Sequence, residues 1–243
     1  KRQLLKSVML GFAVLSVATP AFSELTIEIN EGYENAYPIA VVPFGYGELN
    51  AAQSTTGNQP AATSEAPVDL ASIISADLRR SGHFKPLSAS VMPAIPHEPE
   101  EIDYLAWRPL DIDNMLIGKL IHQGNGLYQI DMRFMDVLRK KQLIGKRWTG
   151  IKQENLRRVA HQISDLIYQE MTGVRGAFNT QIAYVTLRKV AKKRIYTLEI
   201  ADSDGHNPQP ILKSSKPIMS PSWSPDGNKL AYVSFESGRS NII

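Results

Sequence analysis

The chain has 243 residues, with 27 Lys and Arg against 24 Asp and Glu, 43% hydrophobic and 21% charged residues, and no cysteine. This composition excludes a disordered tail and a disulfide-stapled scaffold, and it leaves enough chain to bury a core or two by packing alone. Lys1, Arg2 and Lys6 carry the whole +3 excess, so the chain from Glu24 onward is neutral and lacks the clustered surplus of Lys and Arg that nucleic-acid binding needs.

Residues 1–23 read as a secretory signal peptide. A basic start is followed by the apolar run Val8 to Ala18, then Pro20 and the small residues Ala21 and Ser23 around Phe22, which places cleavage after Ser23. The run falls short of the roughly 20 apolar residues of a bilayer span, so the expected product is exported without membrane insertion.

From Glu24 the pattern becomes that of a strand: Leu25, Ile27 and Ile29 alternate with Thr26, Glu28 and Asn30 before Glu31-Gly32. Glu24, Glu28, Glu31 and Glu34 give residues 24–35 four carboxylates and no base. Such a segment can serve as an edge strand of its own domain, or it can add to the sheet edge of a basic partner. The run Ile39 to Phe44 predicts a strand inside a sheet, and Gly45 to Thr63 a surface loop. A helix is expected from about Ser64 and Pro67 through Leu70, Ile73, Ile74 and Leu78, stopping at Gly82.

After the Pro-rich stretch Pro93 to Pro99, a short helix is expected around Ile102 to Trp107. Met115 to Ile121 predicts a strand, Gly124-Asn125-Gly126 a hairpin turn needing positive φ, and Tyr128, Ile130, Met132 and Phe134 one face of the returning strand. A third strand follows over Leu143 to Ile151, then a long helix with Leu156, Val159, Ala160, Ile163, Ile167 and Met171 on its apolar face, closed by Gly173. This order predicts an α/β domain with a mixed sheet and two main helices over residues 36–175.

Beyond it the chain turns to short strands, and Ile182-Ala183-Tyr184-Val185 returns as Leu230-Ala231-Tyr232-Val233 after 48 residues. A strand motif at that period predicts β-propeller blades, here over 176–243 as a first blade and the opening strand of a second, so the chain reads as truncated within a propeller. Trp223-Ser224-Pro225-Asp226-Gly227 is the most specific motif: Pro225-Asp226-Gly227 for a tight turn, Trp223 to fill the gap between neighbouring blades, and Leu230 to Val233 for the innermost strand.

Candidate chemistry is sparse. The five histidines, His83, His97, His122, His161 and His206, have no second ligand at i+2 to i+4, so each reads as exposed or capping, and neither metal nor cofactor is expected. There is no G-x-S-x-G elbow and no phosphate-binding loop; Gly45-Tyr46-Gly47 lacks the third glycine of a dinucleotide fingerprint, since Asn50 stands there. Asp111 and Asp113 read as polar residues before a strand, and Arg188 to Arg194 as a solvated hairpin end.

With these residues in place, the chain resembles the TolB family of periplasmic β-propeller proteins of the Tol-Pal system. The resemblance rests on Glu24 to Ile29, Pro38 to Phe44, Ala76-Asp77-Leu78-Arg79-Arg80-Ser81-Gly82, Thr172 to Phe178, Trp223 to Gly227, and Phe235 to Ser240. It implies a six-bladed propeller behind the α/β domain, a periplasmic location and a non-enzymatic role. It further implies that the segment Glu24 to Gly32 engages TolA, that the propeller mouth engages Pal, that the link supports outer-membrane integrity and constriction at division, and that colicins and other bacteriocins exploit it. The competing class is an exported hydrolase of the prolyl oligopeptidase type, whose propeller shares the Trp-Ser-Pro-Asp-Gly opening and whose catalytic domain would follow it.

Overall fold

The computed structural model describes residues 36–48 and 66–243. The expected signal peptide over 1–23, the segment 24–35 expected to bind a partner, and Ser64 lie outside the described residues. Among the described residues no helix is long and apolar enough to cross a membrane.

Alternation of apolar residues sets the first layer. In β1 (Tyr37–Val41), Ile39 and Val41 face one side of the sheet, while Ala40, with Val42 just beyond the strand, faces the other. In β4 (Asn114–Gly124), Leu116 and Leu120 share the first side and Met115 and Ile117 the second. Both strands are therefore covered on both faces, which is why they read as unbroken apolar runs. Tyr128, Ile130, Met132 and Phe134 of β5 (Leu127–Asp136) lie on the first side, as their spacing predicts.

The sheet runs β3-β1-β4-β5-β6, with β3 (Phe84–Pro86) and β4 parallel to β1, and β4, β5 and β6 (Lys141–Lys152) forming an antiparallel meander. The hairpin between β4 and β5 turns at Gly124, Asn125 and Gly126, at φ of 91°, 51° and 69°. The stretch predicted as loop after Phe44 begins instead with a strand, β2 (Gly45–Glu48), parallel to the far half of β4. Its side chains carry no period-2 signal because glycine occupies alternate positions. Gly45 has a packing reason: an added Cβ would stand 2.9 Å from the His97 ring.

Two helices cover the first face. α1 (Leu70–Arg80) starts at Asp69, whose carboxylate accepts the Ser72 N–H at 3.0 Å, so the cap lies nearer the first apolar residue than Ser64. α3 (Leu156–Thr172) ends at Gly173, φ 73°. Leu70, Ile74 and Leu78 of α1 and Leu156, Val159, Ile163 and Ile167 of α3 are buried with the strand residues above. Each such side chain contributes about 1.5–3 kcal/mol over its exposed state. The short helix α2 (Tyr104–Trp107) places the fully buried Trp107 against the second face.

Past Gly173 come two antiparallel three-stranded sheets: β7 (Gln181–Val190), β8 (Lys193–Asp202) and β9 (Gln209–Ser214), then β10 (Ile218–Trp223), β11 (Leu230–Ser234) and β12 (Asn241–Ile242). They are the beginning of a β-propeller, and neither sheet closes into a ring. Leu230 to Val233 differs from its expected place: β11 is the central strand of its sheet, flanked by β10 and β12, because Ser220, at φ 51°, and a register shift between Met219 and Ser222 let the Pro-containing run before Trp223 pair as a strand.

Candidate functional site

The residues expected to bind a partner, Glu24, Leu25, Thr26, Ile27, Glu28, Ile29, Asn30, Glu31 and Gly32, lie outside the described residues. The other motif forms the turn between β10 and β11. Gly227 N–H donates to Ser224 C=O at 2.9 Å with Gly227 at φ 71°, and Ser224 Oγ donates to Asp226 Oδ1 at 2.5 Å while accepting Lys229 N–H at 2.9 Å. The Asp226 carboxyl is held below the usual range by the hydroxyl of Ser224 and by the backbone and side-chain N–H groups of Asn228. Trp223 borders a cleft of about 810 Å³.

That cleft lies where α3 meets the first propeller sheet. It is lined by Arg157 and His161 of α3, by Asp202 at the end of β8 and His206 in the turn beyond it, and by Trp223 and Asp226. A chain of polar contacts runs behind it. Asp77 of α1 is 1% exposed; its Oδ2 accepts from Ser164 Oγ at 2.8 Å and lies 2.7 Å from His161 Nδ1, and its Oδ1 accepts from Arg80 Nη2 at 2.5 Å. A carboxylate only accepts, so Nδ1 of His161 carries the proton and α1 is bonded to α3 inside the core. Nε2 of His161 has no hydrogen-bond partner and lies 3.8 Å from Oδ2 of Asp204, which also pairs with Arg157 Nη2.

Burial pushes the Asp204 carboxyl upward, but the His206 N–H and the charge of Arg157, with smaller effects of His161 and Arg80, more than offset this and hold it below its ordinary value. A second tie lies one turn along α3: Asp165 accepts the Phe178 N–H at 2.7 Å and the Asn179 N–H at 3.2 Å. Ser203 closes the joint by donating its hydroxyl to Phe178 C=O at 2.6 Å and its N–H to Thr180 C=O at 3.0 Å.

Aspartate, histidine and serine thus meet at one place, but not as a nucleophilic triad. Ser164 and His161 bond the same Asp77 oxygen, and the second bond of Ser164 Oγ goes to Ala160 C=O at 3.2 Å rather than to the imidazole. A nucleophile needs the base on its own hydroxyl and access to substrate, whereas Ser164 is fully buried. The trio is a structural tie.

His161 corrects the sequence expectation of an exposed or capping histidine: it is 2% exposed and bonded across helices. Asp77, Arg157, Ser164, Asp165 and Asp204 were equally without a sequence signal of their own. The available hint was a His and a Ser three residues apart along the margin of the apolar stripe of α3.

A mixed α/β layer tied through a polar joint to antiparallel propeller sheets defines a two-domain protein, an α/β domain followed by the beginning of a β-propeller. Residues 25–143 match the TolB amino-terminal domain and residues 168–243 match the TolB beta propeller domain, so the chain belongs to the TolB family. It is 52% identical over 235 residues to the Tol-Pal system protein TolB of Hydrogenovibrio crunogenus, covering 97% of this chain and 51% of that relative. To the Tol-Pal system protein TolB of Thioalkalivibrio sulfidiphilus it is 40% identical over 240 residues, covering 99% and 52%. The crystal structure of TolB from Acinetobacter baumannii aligns with a TM-score of 0.68 at 34% identity, over 88% of this chain and 48% of that one. The chain spans about half the length of the curated relatives it matches.

Proposed function

We propose that this protein is a non-enzymatic periplasmic component of the Tol-Pal system. It binds TolA through the mature N-terminal segment Glu24 to Gly32 and Pal through the propeller, and it serves outer-membrane integrity, invagination at division and the entry of bacteriocins. The observation that carries this reading is the TolB amino-terminal match followed, in the same chain, by the TolB propeller match. The four carboxylates of residues 24–35, with no base among them, support a charge-assisted contact with a basic partner. The proposed organisation is a signal peptide over 1–23, the partner segment over 24–35, the α/β domain over 36–175 and propeller from 176 onward.

The test is calorimetric titration of residues 24–243 with the C-terminal domain of TolA, at low and at moderate salt. Binding that weakens with salt and vanishes on deletion of Glu24 to Asn35, with the thermal midpoint unchanged, is the expected result. A large fall in that midpoint on deletion would make the segment a structural strand instead.

A further inference from the structure

Three ligand-type groups converge at the joint between α3 and the first propeller sheet. A ring nitrogen of His161 and carboxylate oxygens of Asp202 and Asp204 lie within 4.8 Å of one another, and Nε2 is 3.8 Å from Oδ2 of Asp204. His161 is 98% buried by its 2% exposure, and Nε2 is without a hydrogen-bond partner although it points into this group. With Nδ1 taken up by Asp77, Nε2 is the ring nitrogen left to face the acceptor oxygen of Asp204, at 3.8 Å. A positive charge between this nitrogen and that oxygen, a proton on the ring or a metal ion, holds the two together. The carboxylate behind the imidazole is also the arrangement that fixes the tautomer of a metal-ligating histidine. Asp202 completes the set: its carboxylate lines the same cleft and makes no hydrogen bond or ion pair among the described residues.

We infer that His161, Asp202 and Asp204 form a binding site for a divalent first-row cation of the zinc class. One imidazole and two carboxylates supply three ligands, with a fourth position open to water in the cleft. The nitrogen donor favours zinc-class ions over calcium and magnesium, which take oxygen sets. Ligands on a tetrahedral centre with bonds of about 2.0–2.1 Å stand about 3.4 Å apart. The 3.8 Å between Nε2 and Asp204 therefore closes with a shift of a few tenths of an ångström, and rotation of the Asp202 side chain brings in the third ligand. Arg157 is the built-in competitor, since its guanidinium already pairs with Asp204 Oδ2 and offsets one of the two carboxylate charges. His161 belongs to the helix layer and both aspartates to the propeller, so the bound ion would pin the two together.

The test uses the whole chain, stripped with chelator and titrated with Zn²⁺ against a chromogenic competitor. One ion per chain is expected, with affinity falling more than about 10-fold in Asp202→Asn and rising several-fold in Arg157→Gln. Asp202→Asn leaves the Asp77 contacts untouched, and circular dichroism checks its fold. Nitrogen NMR of wild-type protein supplies a readout that needs no variant: the His161 Nε2 resonance is expected to move on Zn²⁺ addition. Absence of stoichiometric binding, equal affinity in Asp202→Asn, which would place the ion on exposed groups such as His206, or an Nε2 that stays protonated at saturating Zn²⁺ would each overturn the inference. The last outcome would make a proton the bridging charge.

Discussion

Asp77 on α1 and His161 on α3 are joined by a 2.7 Å contact between two side chains that are each almost wholly buried, 84 residues apart in sequence. This contact makes the helix pair more than an apolar layer. Replacing Asp77 by Ala strands the His161 Nδ1–H in the core, at about 1–3 kcal/mol, and removes the partner of Arg80, while the Ser164 hydroxyl keeps the Ala160 carbonyl as acceptor. We expect urea denaturation of Asp77→Ala to show a loss of about 2–4 kcal/mol. A loss within experimental error would mean that water reaches the site and replaces the carboxylate.

The tie between Asp165 and residues 178–179 predicts a different outcome. Asp165→Ala removes the acceptor of two backbone N–H groups at the start of the propeller region without opening the core of the helix layer. The segment from Val174 to Thr180 should then be cut faster in limited proteolysis, while the global unfolding free energy falls by only about 1–3 kcal/mol. Unchanged cleavage would show that Ser203 and the Arg157–Asp204 pair hold the joint without Asp165.

Gly118 and Gly47 form an internal control for packing on β2 and β4. An added Cβ at Gly118 would stand 2.4 Å from the Asp131 carbonyl oxygen and 2.5 Å from the Phe44 ring, whereas at Gly47 nothing lies within 4 Å. Gly118→Ala should cost about 1–3 kcal/mol or more by forcing β4 from β5, and Gly47→Ala should be near neutral. Equal thermal midpoints for the two variants would contradict the register described for β4.

The acid limb of stability should report on Asp136. Burial pushes its carboxyl up, but the Arg139 N–H at 2.7 Å and guanidinium at 2.8 Å outweigh that and hold it below its ordinary value of 3.8. A carboxyl lowered in the folded state adds stability that is fully present above the unfolded value and lost as pH falls through the folded one. Urea midpoints should therefore be level from about pH 5 to 7 and fall below about pH 4. Asp136→Asn should be less stable at pH 7, with a shallower acid slope. Parallel pH profiles would show that other carboxylates set the acid limb.

Much of the architecture was legible because burial leaves a period in the residues. Ile39 to Phe44, the alternation from Tyr128 to Phe134 and the stripe from Leu156 to Met171 each signal which side is covered, and Gly124 to Gly126 and Gly173 signal where the chain must turn. Strands without a side-chain signature were not legible. β2 is held by backbone pairing to β4, and β3 is only three residues long, so neither gives a pattern to read. The Ser224 to Gly227 turn was visible as a motif, but the sequence could not say that β11 would lie at the centre of its sheet.

Taken alone, the sequence determined the neutral charge from Glu24 onward, the succession of an α/β unit and propeller strands, and the motifs that carry the family resemblance. These depend on composition and on spacing along the chain. Only the tertiary structure decided that His161 is buried against Asp77, that Ser164 is kept from acting as a nucleophile, and that Asp202 and Asp204 come to face the free imidazole nitrogen. Those relations join residues 40 to 90 positions apart, and their chemistry is set by burial and hydrogen bonding that no local pattern encodes.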